Sequence, residues 1–341
     1  MKKINLRALL IGVFLILFIT LLGVFNIRKP RILVLHSFPK DSPWSTLINQ
    51  GMRKALKANR NPVSVNFHHL GVDSRQSTES LRHQIQEAKQ AIEREKPDVL
   101  IAVDDESNHL VAKDYAGRGK PRIVFVAILQ PPQSYGYTTT NATGLVEQLP
   151  LDAVREAILV ARGGQPARIA ILAKDDITGR AELEQAKSYA WAPHRLVGHQ
   201  GENTFQGWQA FISRMADSAD VLLVLSYDEL RRSASTSGVV PRGEIVDWIE
   251  HNSRPLPLGI CDTYVQDGGG LSITPAPVDF GEKSMRLALQ WIKAGKGSLP
   301  PPVGTSHHFR VGLRCGPLAS RGITMPPIYV ETARLGDAYF P

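Results

Sequence analysis

Two short segments of this chain recur later in it with the same pattern of apolar and polar residues. The segment 96–106, Lys-Pro-Asp-Val-Leu-Ile-Ala-Val-Asp-Asp-Glu, is echoed by 220–229, Asp-Val-Leu-Leu-Val-Leu-Ser-Tyr-Asp-Glu, and residues 31–35 are echoed by 168–172. Each is an apolar run that stops at polar residues and precedes a helical pattern, which is typical of a buried parallel strand. The repetition predicts two similar α/β lobes, whose ligands would lie in the crevice at the carboxyl ends of the strands.

Strand and helix patterns alternate along the chain from Arg31 onward. Such a βαβ series implies parallel sheets. We predict an α/β fold of two Rossmann-like lobes with parallel sheets, preceded by an N-terminal transmembrane helix. The chain should cross between the lobes near Thr143, near 252–255 and after Lys293. The predicted division is residues 1–30 as signal anchor and juxtamembrane segment, 31–143 with about 255–293 as lobe 1, 144–254 with about 294–330 as lobe 2, and 331–341 as a C-terminal tail.

An apolar run from Ala8 to Phe25 follows the basic residues of the N-terminus. About 18 apolar residues are enough to span a bilayer and are long for the core of a signal peptide. No small-x-small cleavage site follows the run, so we expect an uncleaved signal anchor, with a cleaved signal peptide as the alternative. Because Arg28, Lys29 and Arg31 balance the basic residues before the run, charge alone does not fix its orientation.

The formal net charge of +8 is concentrated at the N-terminus. The first 31 residues hold six Lys and Arg and no acid, whereas the rest of the chain is nearly balanced, with 34 basic and 32 acidic residues. A nucleic-acid-binding face needs concentrated basic charge, which this distribution does not supply. Basic residues beside an apolar run suit a membrane surface instead. We therefore expect membrane contact through the N-terminal helix and no contact with nucleic acid.

The sequence carries no motif for catalysis, cofactor binding or metal binding. It lacks a Gly-x-Ser-x-Gly elbow, a P-loop and a His-Glu-x-x-His segment. The histidine pairs at 68–69 and 307–308 are adjacent, and neighbours on a strand face opposite ways, so neither pair makes a good metal site. Cys261 and Cys315 have no partner at zinc or redox spacing, and we expect free thiols, with a disulfide as the alternative. We predict no enzyme activity, no cofactor and no metal.

Candidate ligand-binding residues follow the predicted strands of the first lobe. Ser37 and Trp44 belong to the loop after the first strand. An aromatic ring there can stack on a ligand, and free amides at a helix start can bind a carboxylate. Asp104 and Asp105 follow the strand at 99–103 and suit a ligand ammonium or hydroxyl. Each has a structural alternative, because Trp44 could pack the loop and the carboxylates could cap a helix.

Similar residues follow strands farther along the chain. Asp262 and Tyr264 follow one apolar run, and Tyr227 follows another. Polar residues end most strands, so a solvated loop is the alternative for each of these residues alone. Their shared placement predicts that they converge on one crevice. We expect the strand before Asp262 to lie in the first lobe, with those before Trp44 and Asp104.

Several segments together resemble a known family. The stretch 32–38 with Pro43-Trp44, the strand and acidic end at 96–105, and Asn-Ala-Thr-Gly at 141–144 are similar to ABC-transporter substrate-binding proteins of the type I periplasmic-binding fold. The branch includes tryptophan-type aromatic amino-acid binders and sensory ectodomains. The resemblance spans about residues 31–330. Its binding positions would fall at Ser37, Trp44, Asp104, Asp105, Gln130, Tyr227 and Asp262.

The resemblance implies a solute-binding protein without catalytic activity, and the apolar run at 8–25 adds the expectation that it is exported and tethered to the membrane. It would capture a small ligand, an amino acid being one candidate, by hinge closure for ABC-type uptake. The alternative is a ligand-sensing subunit of the same fold that signals to a membrane kinase or a cyclic-nucleotide enzyme. The expected partners are the ligand and either an ABC permease or a membrane sensor. The expected location is the bacterial inner membrane, single-pass with the large domain in the periplasm, or the soluble periplasm after signal cleavage.

Overall fold

The computed structural model describes residues 6–72, 77–137, 141–236, 238–261, 263–295 and 297–341. The first element is helix α1 (Leu6–Arg28). Within these ranges, no helix meets the length and apolarity needed to cross a membrane. The predicted transmembrane helix is therefore not supported by the structure.

The first lobe is built on a six-stranded sheet in which every pair of neighbours is parallel. The order of the strands is β11-β5-β4-β3-β1-β2. They are β1 (Arg31–His36), β2 (Ser64–His69), β3 (Val99–Val103), β4 (Arg122–Ile128), β5 (Ala142–Val146) and β11 (Gly304–Thr305). All five residues of β3 are buried, which matches the apolar run from which this strand was predicted.

The second lobe is built on a seven-stranded sheet of order β13-β12-β10-β9-β8-β6-β7. Neighbouring strands of this sheet are parallel, except for β10 and β12, which are antiparallel. The strands are β6 (Arg168–Ala173), β7 (Arg195–Gly201), β8 (Val221–Val224), β9 (Leu256–Gly259), β10 (Leu271–Pro275), β12 (Phe309–Arg314) and β13 (Tyr339–Phe340). The α/β class and the parallel sheets predicted from the sequence are thus confirmed.

Helices cover both faces of each sheet, so each core has two apolar layers. Three helices are capped at their N-termini by a side chain that accepts a hydrogen bond from a first-turn amide. Ser77 accepts from the amide of Ser80, Asp176 from that of Gly179, and Thr204 from that of Gly207. The first lobe contains α2 (Pro43–Ala58), α3 (Thr78–Glu95), α4 (Asp104–Leu110) and α10 (Pro277–Lys293). The second contains α5 (Leu151–Ala161), α6 (Ile177–Ser188), α7 (Phe205–Met215), α8 (Arg242–Asn252), α9 (Thr263–Gln266), α11 (Cys315–Ser320) and α12 (Pro327–Leu335).

The chain passes between the two sheets in the segments 147–150, 276 and 306–308. The predicted lobe boundaries differ from this topology in three places. Strand β11 pairs with β5 in the first sheet, although residues from about 294 were assigned to the second lobe. Strands β9 and β10 extend the second sheet, although residues from about 255 were assigned to the first lobe. Residues 331–341 are not a separate tail, because β13 pairs with β12. A buried apolar run specifies a strand but does not specify which of two parallel sheets receives it.

Helices α2 and α10 touch at two glycines. A Cβ atom on Gly51 would lie 1.9 Å from the carbonyl oxygen of Val278, and one on Gly281 would lie 1.9 Å from that of Ile48. Both distances are far inside van der Waals contact, so the backbones approach as closely as they do only because neither residue has a side chain. This contact holds the returning helix α10 against the first lobe.

Candidate functional site

A cavity of about 820 Å³ lies between the lobes. Its walls come from the segments that follow β1, β3 and β4 in the first lobe and β6, β8 and β9 in the second. These are carboxyl ends of parallel strands, where open α/β sheets bind their ligands. The volume is in the range of small-molecule sites. A second cavity, of about 490 Å³, lies between α7 and α8, away from these strand ends.

Asp104 begins α4 and faces the cavity. The indole nitrogen Nε1 of Trp44, which also lines the cavity, donates a hydrogen bond of 2.6 Å to its Oδ1 atom. Its other oxygen, Oδ2, is buried and has no hydrogen-bond partner among the described residues. Burial, together with the charge of Glu106, raises the pKa of Asp104 well above its ordinary value. Its φ of 70° lies in the left-handed region, a strained conformation that is enriched at binding sites.

Glu106 lies one residue farther into α4 than Asp105 and approaches the second lobe. Its Oε1 atom is 3.4 Å from the Thr178 hydroxyl of α6, which donates to it. Its Oε2 atom is buried without a hydrogen-bond partner in the part of the chain that the structure describes. Burial raises the pKa of Glu106 to about 7, and the charges of Asp105 and Asp176 add to this effect. Asp104 and Glu106 therefore each have one carboxylate oxygen without a hydrogen-bond partner among the described residues.

Asp105 lies between Asp104 and Glu106 in the chain, and both of its carboxylate oxygens accept hydrogen bonds from the protein itself. It accepts hydrogen bonds from the backbone amides of Leu129, at 3.1 Å, and Gln130, at 3.3 Å. The hydroxyl of Tyr135 donates to it as well. Burial raises the pKa of Asp105, while these three hydrogen bonds oppose that increase. Asp105 thus ties the loop after β4 to α4. The structural alternative, capping of the helix by its carboxylate, is not observed, since no N-cap side-chain hydrogen bond is formed at α4.

The second lobe brings Lys174 and several acids to the same cavity. The Nζ atom of Lys174 lies 3.0 Å from Oδ2 of Asp176 and 3.6 Å from Oε2 of Glu229. Burial alone would lower the pKa of Lys174, but the charges of Asp228, Asp176 and Glu229 outweigh it and raise that pKa. The cation is therefore neutralised by its own lobe.

Two further cavity residues are held by hydrogen bonds within the second lobe. Glu182 accepts from the backbone amide of Ser226 at 3.0 Å and from its hydroxyl at 2.6 Å. Burial raises the pKa of Glu182 to about 7 in spite of these bonds. Tyr227 donates to Oδ2 of Asp267 at 2.6 Å, and its hydroxyl lies 3.0 Å from that of Thr263. Tyr227 lines the cavity with its hydroxyl already engaged.

The structure brings Trp44, Asp104, Asp105 and Tyr227 together at the cavity, as expected from their places after strands. Ser37 and Gln130 are not among the described residues that line the cavity. The hydroxyl of Ser37 donates to the carbonyl of Val103 at 2.8 Å and accepts from the amide of Ser107 at 2.9 Å. The backbone amide of Gln130 donates a hydrogen bond to Asp105. Asp262 lies outside the described residues, and the strand before it belongs to the second lobe rather than the first.

Tyr264 is a core residue of the second lobe. Its side chain is fully buried and its hydroxyl donates to Oε1 of Glu250 at 2.9 Å. A Cβ atom on Gly259 or Gly269 would lie 2.3 Å or 2.1 Å from the Tyr264 side chain, so the ring fills the space that these glycines leave. Its position after a strand therefore reflects packing rather than contact with the cavity.

We expect Tyr264→Phe to lower the free energy of unfolding by about 1–2 kcal/mol, because Glu250 loses a donor while the ring still packs. Urea denaturation of the variant beside the wild-type protein measures this difference. An unchanged unfolding midpoint would contradict the structural role of the hydroxyl.

Several cavity residues were not among the predicted site residues. Glu106 and Asp176 follow strands, so their positions carried the same signal as that of Asp104. Lys174 comes directly after β6 and could have been found in the same way. Glu182 lies inside α6, where nothing in the local pattern separates it from a solvated helix position. Cys261 also lines the cavity; it is a free thiol, and burial raises its pKa to about 12.

Comparisons with known proteins show the fold of the chain. No family model matches the sequence, and no curated protein matches it. An ABC domain in complex with L-Trp from Streptococcus pneumonia is similar in structure, with a TM-score of 0.65, 16% identity, and coverage of 89% of this chain and 98% of that one. The ligand-free, open structure of CD0873, a substrate binding protein with adhesive properties from Clostridium difficile, has a TM-score of 0.64, 17% identity and coverage of 87% and 96%.

A sugar-binding protein of a sugar ABC transporter from Bacillus halodurans is similar over 84% of this chain and 97% of its own, with a TM-score of 0.59 and 9% identity. The structures that resemble this chain thus include proteins described with an amino acid and proteins described with sugars. At these identities the likeness establishes the architecture and does not separate one ligand class from the other. The chain has the two-lobed α/β architecture of the type I periplasmic-binding fold.

Proposed function

We propose that this protein is a solute-binding protein that captures a small ligand between its lobes. The observation that carries the proposal is the cavity itself, which is lined by strand ends of both sheets. Its lining includes Asp104 and Glu106, each with one buried carboxylate oxygen that has no partner among the described residues. Buried polar atoms are normally paired, so unpaired atoms in a cavity favour a ligand that pairs them. No catalytic step is part of this proposal.

Ligand binding would couple to closure of the lobes. Three short chain segments connect the sheets, and such connections permit rotation of one lobe against the other. A ligand that contacts both lobes binds the closed form better than the open form and therefore shifts the population toward closure. Export and delivery to an ABC permease are the uses that we propose for the captured ligand. A sensory subunit would use the same closure to act on a membrane partner.

A thermal-shift screen of amino acids, sugars, amines and organic acids tests the proposal. A compound that binds only the folded protein should stabilise it by about 2.7 kcal/mol at 100 times its Kd. Small-angle scattering with the compound that stabilises the protein should show a smaller radius of gyration than without it. If no compound of any class raises the melting temperature, or if a bound compound leaves the scattering unchanged, capture by closure is wrong.

A further inference from the structure

We infer that the cleft takes an organic cation, whose protonated amine donates hydrogen bonds to Asp104 and Glu106 beside the ring of Trp44. This inference rests on the proposed function, and it adds the chemical class of the ligand. It also predicts which compounds the site rejects, namely neutral and anionic molecules of the same shape.

The charge of the cavity is the first argument. Among the described residues that line it, nine are acidic and three are basic. Lys174 is already paired with Asp176 and Glu229 of its own lobe. The Nε atom of Arg242 lies 3.4 Å from Oδ2 of Asp267. Arg231 is the third basic residue of the lining. Asp104 and Glu106 form no ion pair with any of these three cations among the described residues. The acidic residues are Asp104, Asp105, Glu106, Glu147, Asp175, Asp176, Glu182, Asp228 and Glu229.

The unpartnered oxygens are the second argument, independent of the charge count. Asp104 is 7% exposed, and its Oδ2 atom and the Oε2 atom of Glu106 are buried without a hydrogen bond within the described ranges. An ionised carboxylate only accepts hydrogen bonds, so a ligand that holds these two groups in their ionised form, against the burial that raises their pKa values, must supply donors. A hydroxyl could donate to them, but it would leave the buried charge uncompensated, which is costly. An ammonium group supplies both the donors and the charge.

The aromatic ring fits the same ligand. Trp44 lines the cavity, and its Nε1 atom fixes it to Asp104 at 2.6 Å. A cation over an indole ring gains favourable electrostatic interaction with the π system. The side chain that anchors Asp104 thus offers a second surface for the positive charge.

An acidic residue of the second lobe also approaches Glu106. Glu106 reaches Thr178, at the start of α6, and the charge of Asp176 on that lobe acts on it. The carboxylates of Glu106 and Asp176 therefore act on each other across the cleft, although Lys174 pairs with Asp176. A cation between them would attract both lobes, whereas a neutral ligand would leave the repulsion in place.

Two matched series of compounds test the inference by calorimetry with the intact protein. One series shares an indole ring and consists of tryptamine, tryptophol, indole-3-acetate and L-tryptophan; the other consists of putrescine, 1,4-butanediol and succinate. We expect an amine of at least one series to bind about 100-fold more tightly than its neutral and anionic counterparts, the scale of a charge-assisted contact in a buried site.

Tighter binding of tryptophol, indole-3-acetate, butanediol or succinate than of the matched amine would overturn the inference. Binding of L-tryptophan at least as tight as that of tryptamine would also overturn it, because a zwitterion is not a cation. If no amine binds but another solute stabilises the protein and closes it, the inference fails and the proposed function stands. If no solute of any class binds, both fail.

Variants of Asp104 and Glu106 test the same inference by mutation. Asp104→Asn and Glu106→Gln keep the size of each side chain and remove its charge, and each should weaken amine binding by about 30-fold or more. The affinity ratio of amine to neutral counterpart should fall toward one, a change that a purely structural role would not produce. The matched control is Glu93→Gln, at an exposed carboxylate of α3 outside the cavity, which should bind like the wild type. Unchanged ratios in folded Asp104→Asn and Glu106→Gln proteins would contradict the inference.

Discussion

Gly281→Ala should lower the free energy of unfolding by about 3 kcal/mol, the upper end of the usual cost of overpacking. The added methyl would lie 1.9 Å from the carbonyl oxygen of Ile48. Because that oxygen belongs to the backbone of α2, it cannot rotate away as a flexible side chain would, and the two helices must separate. Gly51→Ala should have a similar effect, since its methyl would lie 1.9 Å from the carbonyl oxygen of Val278 on α10.

The matched control is Gly243→Ala in α8. There the nearest atom that a Cβ would meet is the carbonyl oxygen of Asp267, at 3.8 Å, which is ordinary contact. Alanine is the better helix former, so this variant should be neutral or up to about 1 kcal/mol more stable than the wild type. Urea denaturation of the three variants measures the differences. If Gly281→Ala and Gly243→Ala unfold at the same denaturant concentration, the close contact of α2 and α10 is not as the structure has it.

Strands β1, β3, β6 and β8 were predictable because each is a short apolar run that is buried along almost all of its length. The runs at 31–35, 99–103, 168–172 and 221–225 correspond to β1, β3, β6 and β8. The assignment of β9 to a lobe was not predictable in the same way. Its run of apolar residues would be buried equally well beside a strand of either sheet, and only the pairing of Val221 with Leu256 in the folded chain decides between them.

The candidate site shows a similar limit. Ser37 and Asp104 both follow strands, so the sequence pattern predicts both of them equally as ligand-binding residues. The structure separates them, because the Ser37 hydroxyl is used by the backbone of Val103 and Ser107, whereas Oδ2 of Asp104 has no partner among the described residues. The strand pattern thus predicts at which edge of the sheet a residue lies. It does not predict whether the polar atoms of that residue are already paired.

Without ligand, the acidic cavity should destabilise the protein at neutral pH. The pKa of Glu106 is raised from 4.5 to about 7 in the folded state. Between these two values the folded state holds more protons than the unfolded state, so this residue makes stability fall as the pH rises. The unfavourable contribution is absent below about pH 4.5 and complete above about pH 7. Such a shift corresponds to about 1–3 kcal/mol after allowance for solvent that reaches the cavity.

Glu106→Gln removes this contribution. The variant should therefore gain about 1–3 kcal/mol in the free energy of unfolding relative to the wild type when the pH changes from about 4.5 to about 8. The groups that act on Glu106 are Asp104 and Asp105 on its own helix, and Asp176 and Thr178 at the start of α6. All but Thr178 are acids, so ionisation of these neighbours strengthens the effect at higher pH.

Urea denaturation at both pH values, for wild type, Glu106→Gln and the exposed control Glu93→Gln, measures the difference directly. Other carboxylates, such as Asp220 beside Arg168, have lowered pKa values and make stability rise with pH, but they are common to all three proteins and cancel in the comparison. A pH-independent difference between Glu106→Gln and wild type would show that Glu106 titrates normally. A difference that grows with pH would mean that ionisation of Glu106 is electrostatically unfavourable in the folded protein, a cost that a bound cation would relieve.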